Sequence, residues 1–426
     1  ILDILTALVD RSLVIADRVG SGIRYRMHES IRQYALELFD QLPDATALRD
    51  SHRAYFVEMA RRAEPELTGP RMDRWMDRFE REHENFRLAL AWSATSPEPA
   101  RAILEVASPL YRFWHHRGYL SEAHGWLTRG LDEDGDVPEA LRARSQTSVG
   151  SLELIFGNYQ QARALEEEGL VVLRRLGDRM GIATTLNSLG GVAYYLADYE
   201  EALERYEECA ATFREIGDVP NLANVLNNLG MIVRIRGDRD RAQALYEEAL
   251  ALGRRLCFRQ AVARSLMSMG VLATERREMS VAVGLFEEAV ELFGELGDRR
   301  MTASARNSLG DALRFVGDLK RAGEQLRAAL GAHFEIGDQP NAVFSLASFA
   351  SLAMDEGSPV RALRLAGAFL ALGGGLGLVQ NPFEREDFEM HLESARAALG
   401  ERAAAEEAAG ARMTLGEAVT YAREES

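Results

Sequence analysis

The sequence is poor in the features that mark secreted or membrane proteins. It has only two cysteines in 426 residues, Cys209 and Cys257, and their spacing is not that of a paired motif. This usage favours a reducing compartment, and we expect the chain to be cytoplasmic. No run of about eighteen apolar residues and no signal-peptide pattern occurs, so we expect no membrane span and no export signal.

Positive charge is also in deficit. The formal net charge is −16, and an acidic surface repels the phosphates of nucleic acids. We therefore expect no direct nucleic acid binding by this chain. The expected partners are a protein, a peptide or a small molecule.

Motifs for catalysis are missing. Neither Gly-x-Ser-x-Gly nor His-Glu-x-x-His occurs, and no Gly-x-x-x-x-Gly-Lys-Ser/Thr loop is present to hold nucleotide phosphates. His115, His116 and His124 lie close in sequence, but consecutive histidines point apart on a helix and no further ligand completes a zinc set. We predict that the chain is not an enzyme, with no catalytic residue, no metal site and no cofactor of its own.

What the sequence does have is a repeat of forty residues. Three sets of residues keep this register: glycines at 190, 230, 270 and 310, alanines at 202, 242, 282 and 322, and Gly-Asp pairs at 177/178, 217/218, 297/298 and 337/338. Such a repeat predicts a stacked array of helical hairpins. Stacked hairpins present an extended concave surface that holds a partner.

Each copy contains two amphipathic helices. In the copy from 218 to 257, Asp218 suits the N-cap of the first helix and Pro220 suits its first turn. Gly237 and Asp238 then end the first helix and cap the second, because glycine accepts the left-handed conformation and aspartate accepts hydrogen bonds from free amides. Neither helix buries its apolar stripe alone, so neighbouring copies must complete the core.

The small residues and aromatics of the repeat point to a family. Gly230 and Ala242 permit a close approach of the paired helices, and Tyr246 fills the space beyond them. This spacing resembles the tetratricopeptide family in a long variant, over residues 138–372. The resemblance implies an all-α fold, a right-handed α-solenoid (superhelix).

Two places interrupt the repeat. At one junction Cys257 and Phe258 replace the Gly-Asp pair, and loss of a glycine from a left-handed position costs about 1 kcal/mol unless the turn changes shape. We expect a changed turn, which makes the junction either a bend in the array or the neutral drift of one copy. The run Gly373-Gly374-Gly375 is expected to be a flexible break that ends the repeats.

The first forty residues follow another pattern. Residues 1–10 and 28–42 have helical periodicity, residues 12–16 and 23–27 read as strands, and 19–22 reads as the turn between them. Helix, hairpin and helix form the back half of a winged helix, at the end of an all-α chain. We expect the chain to be a piece of a longer protein.

The residues of this segment resemble a family of regulators. The runs Leu8-Val9-Asp10-Arg11-Ser12-Leu13-Val14 and Tyr25-Arg26-Met27-His28-Glu29 are similar to the winged helix of bacterial STAND-type (NB-ARC-like) ATPase regulators. The stretches 82–87 and 112–118 are similar to the helical spacer that precedes their repeats. The resemblance implies a partial winged helix at 1–43, a spacer at 44–137, repeats at 138–372 and C-terminal capping helices at 373–426.

The same resemblance gives His28 a role. Met27-His28-Glu29 occupies the place of the family's Met-His-Asp motif, whose histidine reaches the β-phosphate of bound ADP. His28 would act only together with the family's NTPase module, and ADP or ATP is expected for the full-length parent. The alternative is that His28 simply begins a helix.

A polar stripe on the first helix of each copy predicts the ligand-binding face. Amide side chains pair with the backbone of an extended peptide, and arginines bind carboxylates or phosphates. The predicted groove residues are Arg144, Asn187, Tyr194, Asn224, Asn227, Arg234, Arg264, Asn307 and Arg314. The alternative is that the asparagines bond to the adjacent hairpin and the arginines are solvated.

Together these patterns predict a regulatory sensor. An effector held in the groove would control nucleotide-dependent activation of the parent ATPase and, through it, transcription; some members of the family carry a LuxR-type DNA-binding domain. The alternative is a constitutive tetratricopeptide scaffold for protein assembly or self-association, including a homo-oligomer.

Overall fold

Helices make up nearly all of the secondary structure in the computed structural model, which describes residues 2–19, 22–67, 71–376 and 382–424. Contacts divide the chain into two units. The first holds the described residues up to Val149, and the second holds those from Gly150 onward. The elements of the first unit are α1 (Leu2–Asp10), β1 (Ile15–Val19), β2 (Gly22–Arg26), α2 (Glu29–Phe39), α3 (Ala45–Ala63), α4 (Met72–Ser93), α5 (Pro99–Arg117), α6 (Leu120–Asp132) and most of α7 (Glu139–Ile155).

The second unit is an array of antiparallel helix pairs. Its inner set, here called the A helices, comprises α9 (Arg179–Tyr195), α11 (Val219–Ile235), α13 (Arg259–Glu275), α15 (Arg299–Phe315) and α17 (Gln339–Asp355). The B helices are α8 (Tyr159–Leu176), α10 (Tyr199–Ile216), α12 (Arg239–Arg255), α14 (Met279–Glu295), α16 (Leu319–Glu335) and α18 (Pro359–Leu376). Three helices follow, α19 (Pro382–Leu399), α20 (Ala403–Ala411) and α21 (Leu415–Arg423). The predicted all-α, tetratricopeptide-like α-solenoid is confirmed.

The N-terminal hairpin begins three residues later than the sequence indicates. The strands pair antiparallel with Ile15 opposite Arg26 and Ala16 opposite Tyr25. Residues 12–14 close α1 instead of starting a strand, because the amides of Leu13 and Val14 both donate to the carbonyl of Leu8, at 2.9 and 3.2 Å. The predicted turn at 19–22 includes Gly20 and Ser21, which lie outside the described residues. The order helix, hairpin, helix agrees with the prediction, while a winged helix remains a prediction.

Aromatic packing forms the core of the first unit. Phe79 meets Phe86 and Phe113 edge to face, with ring centroids 5.0 and 5.5 Å apart. Trp114 is fully buried and donates its indole N–H to Nε2 of His83 at 3.3 Å. Among the described residues, no group of three or more His, Cys, Asp or Glu side chains is arranged to hold a metal ion.

Left-handed residues end the helices of the second unit at intervals of twenty. They are Gly157, Gly177, Ala197, Gly217, Gly237, Cys257, Arg277, Gly297, Gly317, Gly337 and Gly357, with φ between 53° and 91°. Each forty-residue repeat of the sequence thus contains two helix-ending turns of the same kind. Aspartate caps follow most of them; the side chain of Asp218, for example, accepts from the amide of Asn221 at 3.1 Å.

The turn at Cys257 has the same shape as the others, so the expectation of a changed turn is wrong. Cys257 has φ 53°, and Phe258 occupies the N-cap with φ −87° and ψ 81°, close to the −81° and 81° of Asp218. Packing against the neighbouring hairpins imposes the turn, since Phe258 is itself buried. Cys257 therefore adopts the left-handed conformation despite the free energy that its Cβ costs there.

The triple glycine is not a break, which corrects a second expectation. Gly373, Gly374 and Gly375 lie in the last turn of α18, and Gly373 is buried. Burial of α18 against its neighbours overrides the low helix propensity of glycine. Residues 377–381 lie outside the described residues.

The C-terminal helices pack against the last hairpin through glycines. A Cβ on Gly410 of α20 would collide with the carbonyl oxygen of Arg364 in α18, and one on Gly367 would collide with that of Glu407. Only glycine permits this backbone contact. Among the described residues, no helix is long and apolar enough to cross a membrane.

Candidate functional site

The predicted polar stripe lies where the A helices are only partly covered. Most stripe residues of α9, α11 and α15 are half-buried. Asn227 and Arg314 are the exceptions, since both are buried. The half-buried members are Thr184, Asn187, Gly191, Tyr194, Asn224, Met231, Arg234, Ser304, Asn307 and Asp311. The sequence pattern therefore identified a face that is neither core nor fully solvated. Its use by an effector stays a prediction.

Most of the predicted groove asparagines bond between hairpins. Asn228 donates to Oδ1 of Asn187 at 3.1 Å, and Arg264 donates to Oδ1 of Asn228 at 3.0 Å. These bonds link α9, α11 and α13 in a row. Burial lowers the pKa of Arg264, and the Tyr206 phenol opposes that shift.

Asn227 is part of the framework between two A helices. Its amide nitrogen donates to the carbonyl of Ala223 at 3.0 Å and to the hydroxyl of Ser265, on α13, at 3.1 Å. The side chain is buried, so it does not lie on the exposed face as expected. Buried polar groups are generally hydrogen-bonded within the protein. The amide nitrogen of Asn227 follows this rule, so it is used by bonds within the chain and not by a ligand.

The other predicted residues are spread along the array. Arg144 is exposed on α7 in the first unit, and its carbonyl accepts from Thr147 and Ser148. Arg234 forms an ion pair with Glu275 on the next A helix. Tyr194 packs against Tyr195 at 5.1 Å, and burial raises its pKa.

The stripe opens into a cavity near the C-terminal end of the array. We call it the inner-face cavity; it has a volume of about 290 Å³. Helices α13, α15, α17 and α19 supply most of its lining, and α14 and α16 add Phe286 and His333. Its lining residues include Met267, Thr274, Phe286, Ser304, Asn307, Asp311, Arg314, Phe315, Phe344, Ser348, Phe383, Asp387 and Phe388.

A buried ionic cluster fastens α19 to the A helices. Arg314, 5% exposed, donates to Oδ2 of Asp355 at 2.8 Å and forms an ion pair with Asp387 of α19. Nε2 of His391 lies 3.0 Å from Oδ1 of Asp355. Arg314 was predicted to bind an effector carboxylate; here it binds the carboxylates of its own chain.

The charges in this cluster support one another. Burial lowers the pKa of Arg314, but Asp387, Asp311 and Asp355 outweigh that effect and raise it. The hydrogen bond to Asp355 raises the pKa of His391. Burial raises the pKa of Asp355, and the bonds from His391 and Arg314 more than reverse the shift.

Asp311 differs from the other carboxyls of the cavity. It accepts hydrogen bonds from Ser348 at 2.9 Å and Asn307 at 3.2 Å, both neutral groups. Burial raises its pKa to about 7, against the lowering effect of Arg314. Among the described residues, no cation lies within ion-pair distance of Asp311.

The residues that α19 brings to the cavity were missed in the sequence. Phe383, Glu384, Asp387 and Phe388 follow helical spacing on one face. That pattern identifies a packed face, but only the folded chain shows which helices it meets. His28, the predicted nucleotide-sensing residue, is exposed at the N-cap of α2 and makes no side-chain cap bond.

Comparison with known proteins agrees with this architecture. Residues 181–255 match the tetratricopeptide repeat family. A protein of Mycobacterium tuberculosis strain H37Rv, whose name marks it as a candidate HTH-type transcriptional regulator, is 30% identical over 204 residues, covering 44% of this chain and 22% of that protein. A Mycobacterium bovis protein matches to the same extent. The chain thus spans about a fifth of the length of these curated relatives.

Two solved structures share the fold. A Signal Transduction ATPase with Numerous Domains (STAND) protein with a tetratricopeptide repeat sensor, from Pyrococcus horikoshii, has a TM-score of 0.53 at 16% identity, covering 94% of this chain and 59% of that one. Aspartyl phosphate phosphatase F from Bacillus subtilis has a TM-score of 0.51 at 12% identity, covering 88% and 96%. At these identities the likeness concerns the fold alone. The chain thus contains tetratricopeptide repeats within an α-solenoid fold.

Proposed function

We propose that this chain is the effector-binding sensor region of a STAND-type ATPase regulator, and that the effector enters the inner-face cavity. The observation that carries the proposal is the cavity itself, where aromatic rings and polar groups from three A helices and α19 converge in about 290 Å³. Small-molecule sites have this mixture of an apolar lining and few polar groups. The effector is a small molecule, or the end of a peptide or protein that fits the same space.

The position of α19 gives the cavity a means of signalling. Phe383 and Asp387 reach the cavity from α19, and both contact α15, through Phe315 at 5.6 Å and through Arg314. An effector that contacts both helices binds one arrangement of α19 better than another. Only such a difference in affinity shifts a conformational equilibrium.

The wider role of the protein follows from its resemblance to regulators. The mycobacterial relative is named for transcriptional regulation, and the P. horikoshii protein is a STAND protein with a repeat sensor. In such a regulator, effector binding would favour the ATP-bound form over the ADP-bound form and so control transcription. We place this action in the cytoplasm.

The nucleotide itself does not fit the residues of this chain. The sequence lacks a phosphate-binding loop, and His28 is a single exposed imidazole that makes no cap bond to the start of α2. ADP or ATP therefore belongs to an NTPase module of the parent protein. His28, in a partial winged helix at residues 1–43, would reach the bound nucleotide from outside that module.

A matched pair of cavity variants tests the proposal. Ser304 lines the cavity and Thr184 occupies the same repeat position three copies earlier. Compounds from a small-molecule library that raise the melting temperature of this chain should lose their effect in Ser304→Trp, which fills the cavity, and keep it in Thr184→Trp. Isothermal titration calorimetry then measures the affinities of the hits.

The outcomes separate sensing from scaffolding. Loss of binding in Ser304→Trp alone, together with loss of effector-dependent nucleotide exchange in the full-length regulator, supports the proposal. Hits that bind both variants equally contradict a cavity effector. Binding of large proteins alone, unaffected by Ser304→Trp, would favour a constitutive scaffold.

A further inference from the structure

We infer that the inner-face cavity selects a cationic amine with an apolar body, whose ammonium group lies beside Asp311 and whose apolar part lies among the phenylalanines. The inference rests on the proposed function, because it names the chemical class of the effector for the same cavity. Aromatic rings, acceptor atoms, charge and size each contribute to it.

Aromatic rings line much of the cavity. Phe286, Phe315, Phe344, Phe383 and Phe388 come from four different helices. The faces of such rings carry negative electrostatic potential, so they attract cations as well as apolar groups. Arg314 already uses this property, since its guanidinium carbon lies 4.4 Å from the centroid of Phe315.

Hydrogen-bond acceptors with unused capacity also line the cavity. Oδ1 of Asn307 is buried and accepts no hydrogen bond; Oδ1 of Asp387 accepts none either, although Nδ1 of His391 lies 3.5 Å from it. The Asn307 amide is oriented by its nitrogen, which donates to Asp311 and Ser348, so the orphaned atom is the oxygen. An ammonium group carries three donors and no acceptor, which complements these oxygens.

Two carboxyls of the cavity have arginine partners that differ from the surroundings of Asp311. Asp387 is paired with Arg314, and Glu275 is paired with Arg234. The hydrogen bonds to Asp311 come from the neutral donors Ser348 and Asn307, and Arg314 acts on it only from beyond ion-pair distance. A half-buried carboxylate of this kind is stabilised further when a cation lies beside it.

The volume limits the size of the amine. The cavity of about 290 Å³ lies at the small end of the range for ligand pockets, about 300–1,000 Å³. One aromatic ring with a short aminoalkyl chain fits this space. We therefore choose 2-phenylethylamine as the probe, with 2-phenylethanol and phenylacetate as its neutral and anionic counterparts.

Calorimetric titration of this chain with the three probes tests the inference. The amine should bind about tenfold more tightly than the alcohol, a difference typical of one added charge contact in a partly buried site, and phenylacetate should bind no better than the alcohol. Asp311→Asn should remove the advantage of the amine and leave the alcohol unchanged. Glu204→Gln, on the exposed side of α10, is the control and should change neither affinity.

The pH dependence provides a second measurement that does not depend on a variant. With its pKa near 7, Asp311 gains charge between pH 6 and pH 8, while 2-phenylethylamine stays protonated. Arg314 lowers this pKa, and Glu384 and Asp387 raise it. Burial lowers the pKa of His333, which also lines the cavity, and so favours its neutral form. Affinity for the amine should therefore rise with pH in the unmodified chain and stay level in Asp311→Asn.

Failure of the inference differs from failure of the proposed function. Equal affinity for amine and alcohol, or tighter binding of phenylacetate, overturns the amine assignment. If neutral or anionic compounds then bind and Ser304→Trp abolishes their binding, the cavity is still a sensor site. If no probe and no library compound distinguishes Ser304→Trp from Thr184→Trp, both ideas fail.

Discussion

Gly230 of α11 packs directly against the ring of Tyr246 in α12. A Cβ at Gly230 would lie 2.5 Å from Cε1 of that ring. The same relation recurs sixteen residues apart in other copies, with Gly190 against Tyr206 and Gly270 against Phe286. The pairing of a glycine with a buried ring thus sets the distance between the two helices of a hairpin.

This relation predicts a clear effect for one added methyl group. Gly230→Ala should lower the free energy of unfolding by about 1–3 kcal/mol, because the buried ring has no room to move. Gly284→Ala is the matched control, since nothing lies within 4 Å of its new Cβ; it should raise stability by about 0.5–1 kcal/mol through its better helix propensity. Urea denaturation measures both, and equal effects would contradict the packing role of Gly230.

The turn at Cys257 predicts a stabilising substitution. Cys257→Gly should raise the free energy of unfolding by about 1 kcal/mol, because glycine adopts φ 53° without the Cβ clash. Cys257→Ala keeps the Cβ and removes the thiol, so it should leave stability nearly unchanged. A gain in the alanine variant as large as in the glycine variant would assign the effect to the thiol instead of the backbone.

A buried carboxyl predicts a pH-dependent stability. Glu166 is fully buried, accepts from Ser151 at 2.8 Å, and has its pKa raised by burial to about 8. The folded chain holds this proton where the unfolded chain releases it, so stability should fall as pH rises from about 4.5 to about 8, by at most about 1.4 kcal/mol per pH unit. Below that window both states are protonated and the effect vanishes.

Glu166→Gln should remove that component of the pH dependence. Glutamine keeps the shape and the hydrogen-bond capacity of the protonated acid without a titrating group. Glu167→Gln, on the exposed neighbour, should leave the slope as it is. Thermal unfolding followed from pH 5 to pH 8 gives the comparison, and parallel slopes in all three proteins would mean that Glu166 does not carry the proton.

We expect the asparagines of the stripe to differ in how much they contribute to stability. Asn227→Ala should cost about 1–2 kcal/mol of stability, because the bond to Ser265 between α11 and α13 is lost. Asn224 is half-buried on the same helix, and Asn224→Ala should change stability by less than about 0.5 kcal/mol. Chemical denaturation distinguishes them; a neutral Asn227→Ala would return that residue to the list of ligand contacts.

The forty-residue spacing was sufficient to predict the α-solenoid and its paired helices. It did not reveal that the turns recur every twenty residues, because Ala197, Cys257 and Arg277 stand at turn positions where the other turns have glycine. Local patterns report helix boundaries but not which conformation packing imposes on a residue. The same limit explains the triple glycine, which packing keeps helical.

The candidate site was predictable only in part. The stripe on the A helices placed Asn307 and Arg314 on one face, and both line the inner-face cavity, since periodicity fixes which residues share a side of a helix. It did not predict that Arg314 binds Asp387, seventy-three residues later. A contact of that kind depends on where α19 returns, and no local sequence pattern encodes it.

The recurrence of one turn from Gly157 to Gly357 also bears on how such chains diverge. Every hairpin begins and ends with the same backbone geometry, so unequal recombination that deletes or duplicates a whole copy creates a junction the array already contains. Copies formed by α9 to α12 lie outside the walls of the inner-face cavity. The number of copies in the array can therefore change without altering the residues that line the inner-face cavity.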